Sequence, residues 1–229
     1  MKFLLNVGAE KAGTTWLYDY FRSHPQFEAV GKELNILQRD DLVPRFYDVP
    51  GIDDLKWYFD FFNQKTKVTG DFTHYEGSTP NVFKLMSDGL EADIVPVYIM
   101  RDPIERAWSA WNMLGGGGFE MPAAAHFLLY SYLQCKYKET IQALDSVFDN
   151  TLYFFYEDFF KQENLDLICD ALNIDHHPIN EAVVNAGKYN REVPYQFKQL
   201  FGNTPKNNEA VKFIVERFDN VPWNLENYP

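Results

Sequence analysis

Two short segments of this 229-residue chain carry cationic and hydroxyl side chains at spacings suited to holding anions. The first is Gly8-Ala9-Glu10-Lys11-Ala12-Gly13-Thr14-Thr15, which follows an apolar run at 2–7 and precedes the helical stripe Trp16, Leu17, Tyr20 and Phe21. Between a strand and a helix, glycines let the backbone curl so that its N–H groups face an anion, and the helix N-terminus adds partial positive charge. A nucleoside-triphosphate loop places lysine directly after its second glycine. Here Thr14 holds that place, and Lys11 stands two residues before Gly13. The second segment is Arg101-Asp102-Pro103-Ile104-Glu105-Arg106-Ala107-Trp108-Ser109, after the apolar run 95–100. Arg101 at a strand end can fork onto a phosphate, and Ser109, two turns along a helix rising about 1.5 Å per residue, can donate to the same group. Taken alone, Arg106 and Ser109 read as a solvated helix face.

The elements that must position these segments alternate. Strands are expected at 2–7, 27–30, 67–71, 93–100 and 151–156, and helices after Gly13, at 55–62, from Pro80, from Ile104 to the glycine run at 115–118, within 122–148, and at 158–172. His24-Pro25 closes the first helix, and the tail after His176 reads as irregular apart from a short helix near 209–218. This order implies an α/β fold of three layers around a central parallel sheet, with ligands at the carboxyl ends of the strands. Together the two segments would put two anion sites on one sheet edge. The charged loop at 32–50 is long enough to act as a lid.

The composition, 46% hydrophobic and 24% charged, is that of a single globular domain spanning 1–229, with no apolar run long enough to cross a bilayer. The N-terminal run is too short for a signal peptide and leads into the glycine loop. Cys135 and Cys169 cannot build a disulfide framework, which fits buried thiols and a reducing cytoplasm. A net charge of −12 argues against a nucleic-acid partner and makes a highly sulfated glycan a poor acceptor. His176 and His177 have no ligands at metal spacing, and no metal is expected.

The order K-x-G-T-T after the first strand resembles the 5′-phosphosulfate loop of the sulfotransferases that use 3′-phosphoadenosine 5′-phosphosulfate. Arg101 to Ser109 resembles their 3′-phosphate segment, R-[DN]-P-x-x-R-x-x-S. The resemblance, to the bacterial and carbohydrate branch, implies a nucleotide-kinase-like P-loop fold. It implies a donor site of Lys11, Ala12, Gly13, Thr14, Thr15, Trp16, Arg101 and Ser109, with Lys188 and Arg191 from the tail, and 3′,5′-adenosine bisphosphate as product. Tyr156-Glu157-Asp158 looks like the family's E-D-L segment. Gly31-Lys32-Glu33-Leu34-Asn35-Ile36-Leu37 is similar to K-E-x-H-F-F, which makes Glu33 the base, with Asn35 where the family has histidine. Gly70-Asp71-Phe72-Thr73-His74 resembles G-E-K-[ST]-P, with Phe72 in the place of a lysine, so Asp71 and His74 become acceptor contacts or alternative bases. The acceptor would be a small molecule or saccharide bearing a hydroxyl or amine. Two other readings stay open: a P-loop kinase of a small molecule, against which the lysine position speaks, and an inactive relative that keeps the nucleotide as a structural ligand.

Overall fold

Phe3-Leu4-Leu5 and the run from Ile94 to Met100 become strands buried on both faces, as a parallel sheet covered by helices requires. The structure is a computed structural model that describes residues 1–31, 55–113, 135–179 and 192–228. Strands β1 (Lys2–Gly8), β2 (Phe27–Ala29), β3 (Val68–Asp71), β4 (Asp93–Met100) and β5 (Leu152–Phe155) lie in the order β2-β3-β1-β4-β5. Every neighbouring pair is parallel, with Leu4 opposite Gly70 on one side and Val95 on the other. The chain builds β2 and β3 on one side of β1, then crosses to add β4 and β5 on the other. The carboxyl ends of β1 and β4 therefore flank the point where the strand order reverses, the place where such sheets take ligands.

The helices that flank the sheet are α1 (Thr14–Ser23), α2 (Lys56–Asn63), α3 (Pro80–Gly89), α4 (Pro103–Met113), α5 (Tyr137–Asp145), the single turn α6 (Tyr156–Phe159), α7 (Gln162–Leu172), α8 (Tyr195–Gly202) and α9 (Pro205–Arg217). The expected strands are all present, while the helix expected at 158–172 is broken at Phe160-Lys161 into α6 and α7. The tail is less irregular than its sequence reads. Phe197 and Phe201, one helical turn apart, stack at 4.1 Å, and Phe197 meets Trp108 of α4 edge-on at 5.0 Å. Burial of that pair, together with Ile104 and Trp111, makes α8 a helix that its length alone would leave marginal. Cys135 and Cys169 are buried and free. Among the described residues no helix is long and apolar enough to cross a membrane, and no cluster of His, Cys, Asp and Glu is arranged to hold a metal.

His24, the C-cap of α1, is satisfied as one neutral tautomer. Its Nε2–H donates to the Asp175 carbonyl at 2.8 Å, and Nδ1 accepts from the Gln26 N–H at 3.2 Å. A proton on Nδ1 would break the second bond, and burial holds the pKa of His24 below its ordinary value. An unfolded histidine binds its proton near pH 6.5 whereas folded His24 resists it, so this group withdraws stability as the pH falls through about 6.5. His176, exposed and bonded to Asp170 at 2.8 Å, has its pKa raised and contributes with the opposite sign, its stabilisation fading as pH rises. Urea midpoints measured at pH 7.5 and 5.5 should fall with acid less steeply in His24→Gln than in the parent, and more steeply in His176→Ala.

Candidate functional site

The loop after β1 is fastened at both ends. The Ala9 N–H donates to the Ile99 carbonyl of β4 at 2.7 Å, and the Ala12 N–H donates to the Ala9 carbonyl at 3.1 Å. Gly13, with φ 85°, then starts α1, its carbonyl accepting from Trp16 and Leu17. A side chain at Gly13 would be left-handed and would also set its Cβ 2.9 Å from Phe160. Lys11 takes φ 64° although it has a Cβ, a conformation that costs about 1–2 kcal/mol. That turn aims its carbonyl at Arg101, whose Nη1 donates to it at 3.0 Å, while Lys11 Nζ lies 3.3 Å from Met113 Sδ at the end of α4. Ala12 and Thr14 are buried and Thr15 is exposed. Trp16 is buried edge-on against Phe159 and Phe160.

Arg101 leaves the end of β4 with its guanidinium 4.2 Å above the Tyr156 ring and 3.9 Å from Glu105 Oε2. Its main chain is clasped by the Tyr137 hydroxyl, which donates to the Arg101 carbonyl at 2.6 Å and accepts from its N–H at 3.1 Å. Among the described residues the buried Nε of Arg101 has no hydrogen-bond partner. An orphaned donor on a fixed guanidinium is what an incoming phosphate oxygen would satisfy. Ser109 is half-buried on α4, one turn beyond Glu105.

Arg106 is not on a solvated face. Its Nη1 donates to Glu76 Oε1 at 2.7 Å, both side chains being about a tenth exposed, and its guanidinium lies 5.3 Å from the Tyr137 ring. The arginine that reads as helix surface in the sequence is the inner half of an ion pair, because α5 and the turn after β3 close over it. Asp71 departs from its expected place in the same way. It is fully buried, its Oδ2 accepting from the Tyr58 and Tyr75 hydroxyls at 2.7 and 2.6 Å and its Oδ1 from the Thr73 N–H at 2.8 Å. This carboxylate anchors the end of β3. Phe72 is also buried, edge-on to Tyr18 at 5.2 Å, so a lysine there would point under α1. His74 is half-buried against the loop, its Nδ1 3.6 Å from where a Cβ on Gly8 would stand. Glu33, Asn35, Lys188 and Arg191 lie outside the described residues.

Sequence reasoning missed Tyr137, Met113 and the contacts of the tail. Tyr156 and Glu157 carried a weak signal, the resemblance of Tyr156-Glu157-Asp158 to a family segment. Glu157 Oε1 accepts from the Asp102 N–H at 3.0 Å, and burial raises the pKa of both carboxyls. Tyr137 gave no signal at all, since nothing local distinguishes a core tyrosine from one whose hydroxyl holds a turn 36 residues away.

No protein-family model matches the chain. A stretch of 136 residues, 58% of the chain, is 31% identical to the human bifunctional heparan sulfate N-deacetylase/N-sulfotransferase 3, and is 29% identical to the mouse enzyme numbered 4 in the same series. The match covers 15% of the length of either relative. Among solved structures, a sulfotransferase from Alicyclobacillus acidocaldarius superposes with a TM-score of 0.62 at 17% identity, covering 94% of this chain and 96% of that one. The sulfotransferase domain of the Synechococcus PCC 7002 olefin synthase superposes with a TM-score of 0.55 at 17% identity, covering 98% and 90%. At such identities the likeness is one of fold.

Proposed function

We propose that this chain, a member of the sulfotransferase fold family, moves a sulfuryl group from 3′-phosphoadenosine 5′-phosphosulfate to an amine or hydroxyl of a saccharide or small-molecule acceptor. The observation that carries the reading is the 3.0 Å bond from Arg101 to the Lys11 carbonyl, which joins the two anion-binding segments at the reversal of strand order. The loop amides and the start of α1 face the 5′ side, and Arg101 with its orphaned Nε, and Ser109, face the 3′ side. A kinase reading finds no lysine after Gly13. The human relative is named as an N-sulfotransferase of heparan sulfate, which favours a saccharide amine. The net charge of −12 favours an acceptor carrying few anionic groups of its own.

In this reaction the acceptor's N–H or O–H proton passes to a base and its lone pair forms the new bond to sulfur. The bond from sulfur to the bridging oxygen breaks, and its electron pair stays on the departing 5′-phosphate. Lys11 is the cation placed where that charge grows, and the loop N–H groups share it. Glu33 is the base by family resemblance.

Arg101→Ala and Ser109→Ala should each weaken 3′,5′-adenosine bisphosphate by about 1.5–3 kcal/mol or less, the range of a charge-assisted hydrogen bond. Adenosine 5′-phosphosulfate, which lacks the 3′-phosphate, should be nearly indifferent. Calorimetry with the bisphosphate, the phosphosulfate, and ATP with magnesium decides. Equal losses for the two sulfotransferase ligands would mean general misfolding, and tight magnesium-dependent ATP binding would give the site to a kinase.

A further inference from the structure

The end of the chain reaches back to the turn that carries Arg101. Tyr228 Oη donates to Asp102 Oδ1 at 2.8 Å and accepts from the Ile104 N–H at 3.3 Å. The same Asp102 oxygen accepts from the N–H groups of Ile104 and Glu105 at 2.9 and 3.1 Å, capping α4. Earlier in the tail, Trp223 Nε1 donates to Glu157 Oε2 at 3.2 Å, and the other oxygen of Glu157 takes the Asp102 N–H. The Trp223 ring also packs 5.8 Å from Tyr137, the residue that clasps the Arg101 main chain. The path of the tail is fixed by close approach at Gly202 of α8, where a Cβ would stand 2.1 Å from the Asn227 carbonyl.

These contacts converge on two consecutive residues. The direction in which Arg101 leaves β4 is set by its own main chain and by that of Asp102, and the groups that hold them come from α5, α6 and the tail. Asp102 is a buried carboxyl next to Arg101 in the chain, and Glu157, which is exposed, holds the Asp102 N–H. Unless the Asp102 oxygen stays occupied by its donors, it competes with the ligand for Arg101 or lets the cap of α4 turn away, and without the Trp223 bond Glu157 is free to release the Asp102 N–H. Burial and the neighbouring Asp102 charge raise the pKa of Tyr228 well above its ordinary value, so its hydroxyl keeps its proton and remains a donor.

We infer that Tyr228 and Trp223 are positioning residues for Arg101, so that the C-terminal segment sets how strongly the site prefers a 3′-phosphorylated nucleotide over its 5′-monophosphate. The inference rests on the donor proposed above. It asks more of the tail than stability: the same two residues must act on one phosphate and spare the other.

The test measures affinities of the full chain for 3′,5′-adenosine bisphosphate and adenosine 5′-phosphate by calorimetry, with thermal midpoints alongside. Tyr228→Phe keeps the ring and removes the bond to Asp102, and Trp223→Phe keeps a ring and removes the bond to Glu157. Each should weaken the bisphosphate about three- to tenfold, because the lost bond acts on Arg101 only through Asp102, and leave the monophosphate within a factor of about two. Equal losses for both nucleotides, or an unchanged ratio in both folded variants, would overturn the inference. A parent chain that binds the two nucleotides equally would instead overturn the proposed donor, so the two failures read differently.

Discussion

Lys11→Ala lowers turnover by about two to three orders of magnitude, the loss seen when one donor to a developing oxyanion is removed. Donor binding should weaken as well, because in the proposed reaction the ammonium would meet the phosphosulfate before and during bond cleavage. The geometry behind this expectation is specific. The left-handed turn at Lys11 gives its carbonyl to Arg101 and leaves the side chain to run toward Met113, in front of the loop. Single-turnover measurement with labelled donor separates the chemical step from binding. Glu33→Gln provides the contrast: turnover should drop by about two to four orders of magnitude while bisphosphate affinity hardly moves. Turnover within a factor of about three of the parent in Lys11→Ala would remove the loop from the chemistry. Should Glu33→Gln remain active, His74 is the next base to test, since Asp71 has its oxygens committed to Tyr58, Tyr75 and Thr73.

Arg106→Ala destabilises the protein by about 3–5 kcal/mol, because it leaves Glu76 buried without its cation. For a chain of this size that corresponds to a fall in melting temperature of roughly 10 °C. Replacing both partners by apolar residues of similar volume, as in Arg106→Met with Glu76→Leu, should restore much of the loss, since a buried pair is costly to break and far less costly to omit. Chemical denaturation of the single and double variants checks this. A single-variant loss below about 1 kcal/mol would mean that water screens the pair and that Arg106 is, after all, surface.

Much of the fold was legible because its signals are local. Buried parallel strands are continuous apolar runs, and the glycine loop sits directly after the first of them. His24-Pro25 stops a helix by the steric preference of the residue before proline. The two segments proposed to hold anions could be located for the same reason: each consists of neighbours in the chain, at a strand end followed by a helix start.

The amino-acid sequence by itself thus determined an alternating α/β chain, the glycine loop and the Arg101 segment at two strand ends, and the order in which they occur. Tertiary structure alone decided which polar side chains are tied into the fold. Arg106 and Ser109 share one helix, yet one is locked inward by Glu76 and the other is left half-buried on the same helix. Asp71 lies in a family-like segment, yet two tyrosines claim it. Tyr228 stands at the far end of the chain and still bonds Asp102 across 126 residues. The physical reason is the same in each case. A helix or strand period says which face a residue occupies, but a buried polar group is stable only with its partner, and the partner is chosen by how the layers pack.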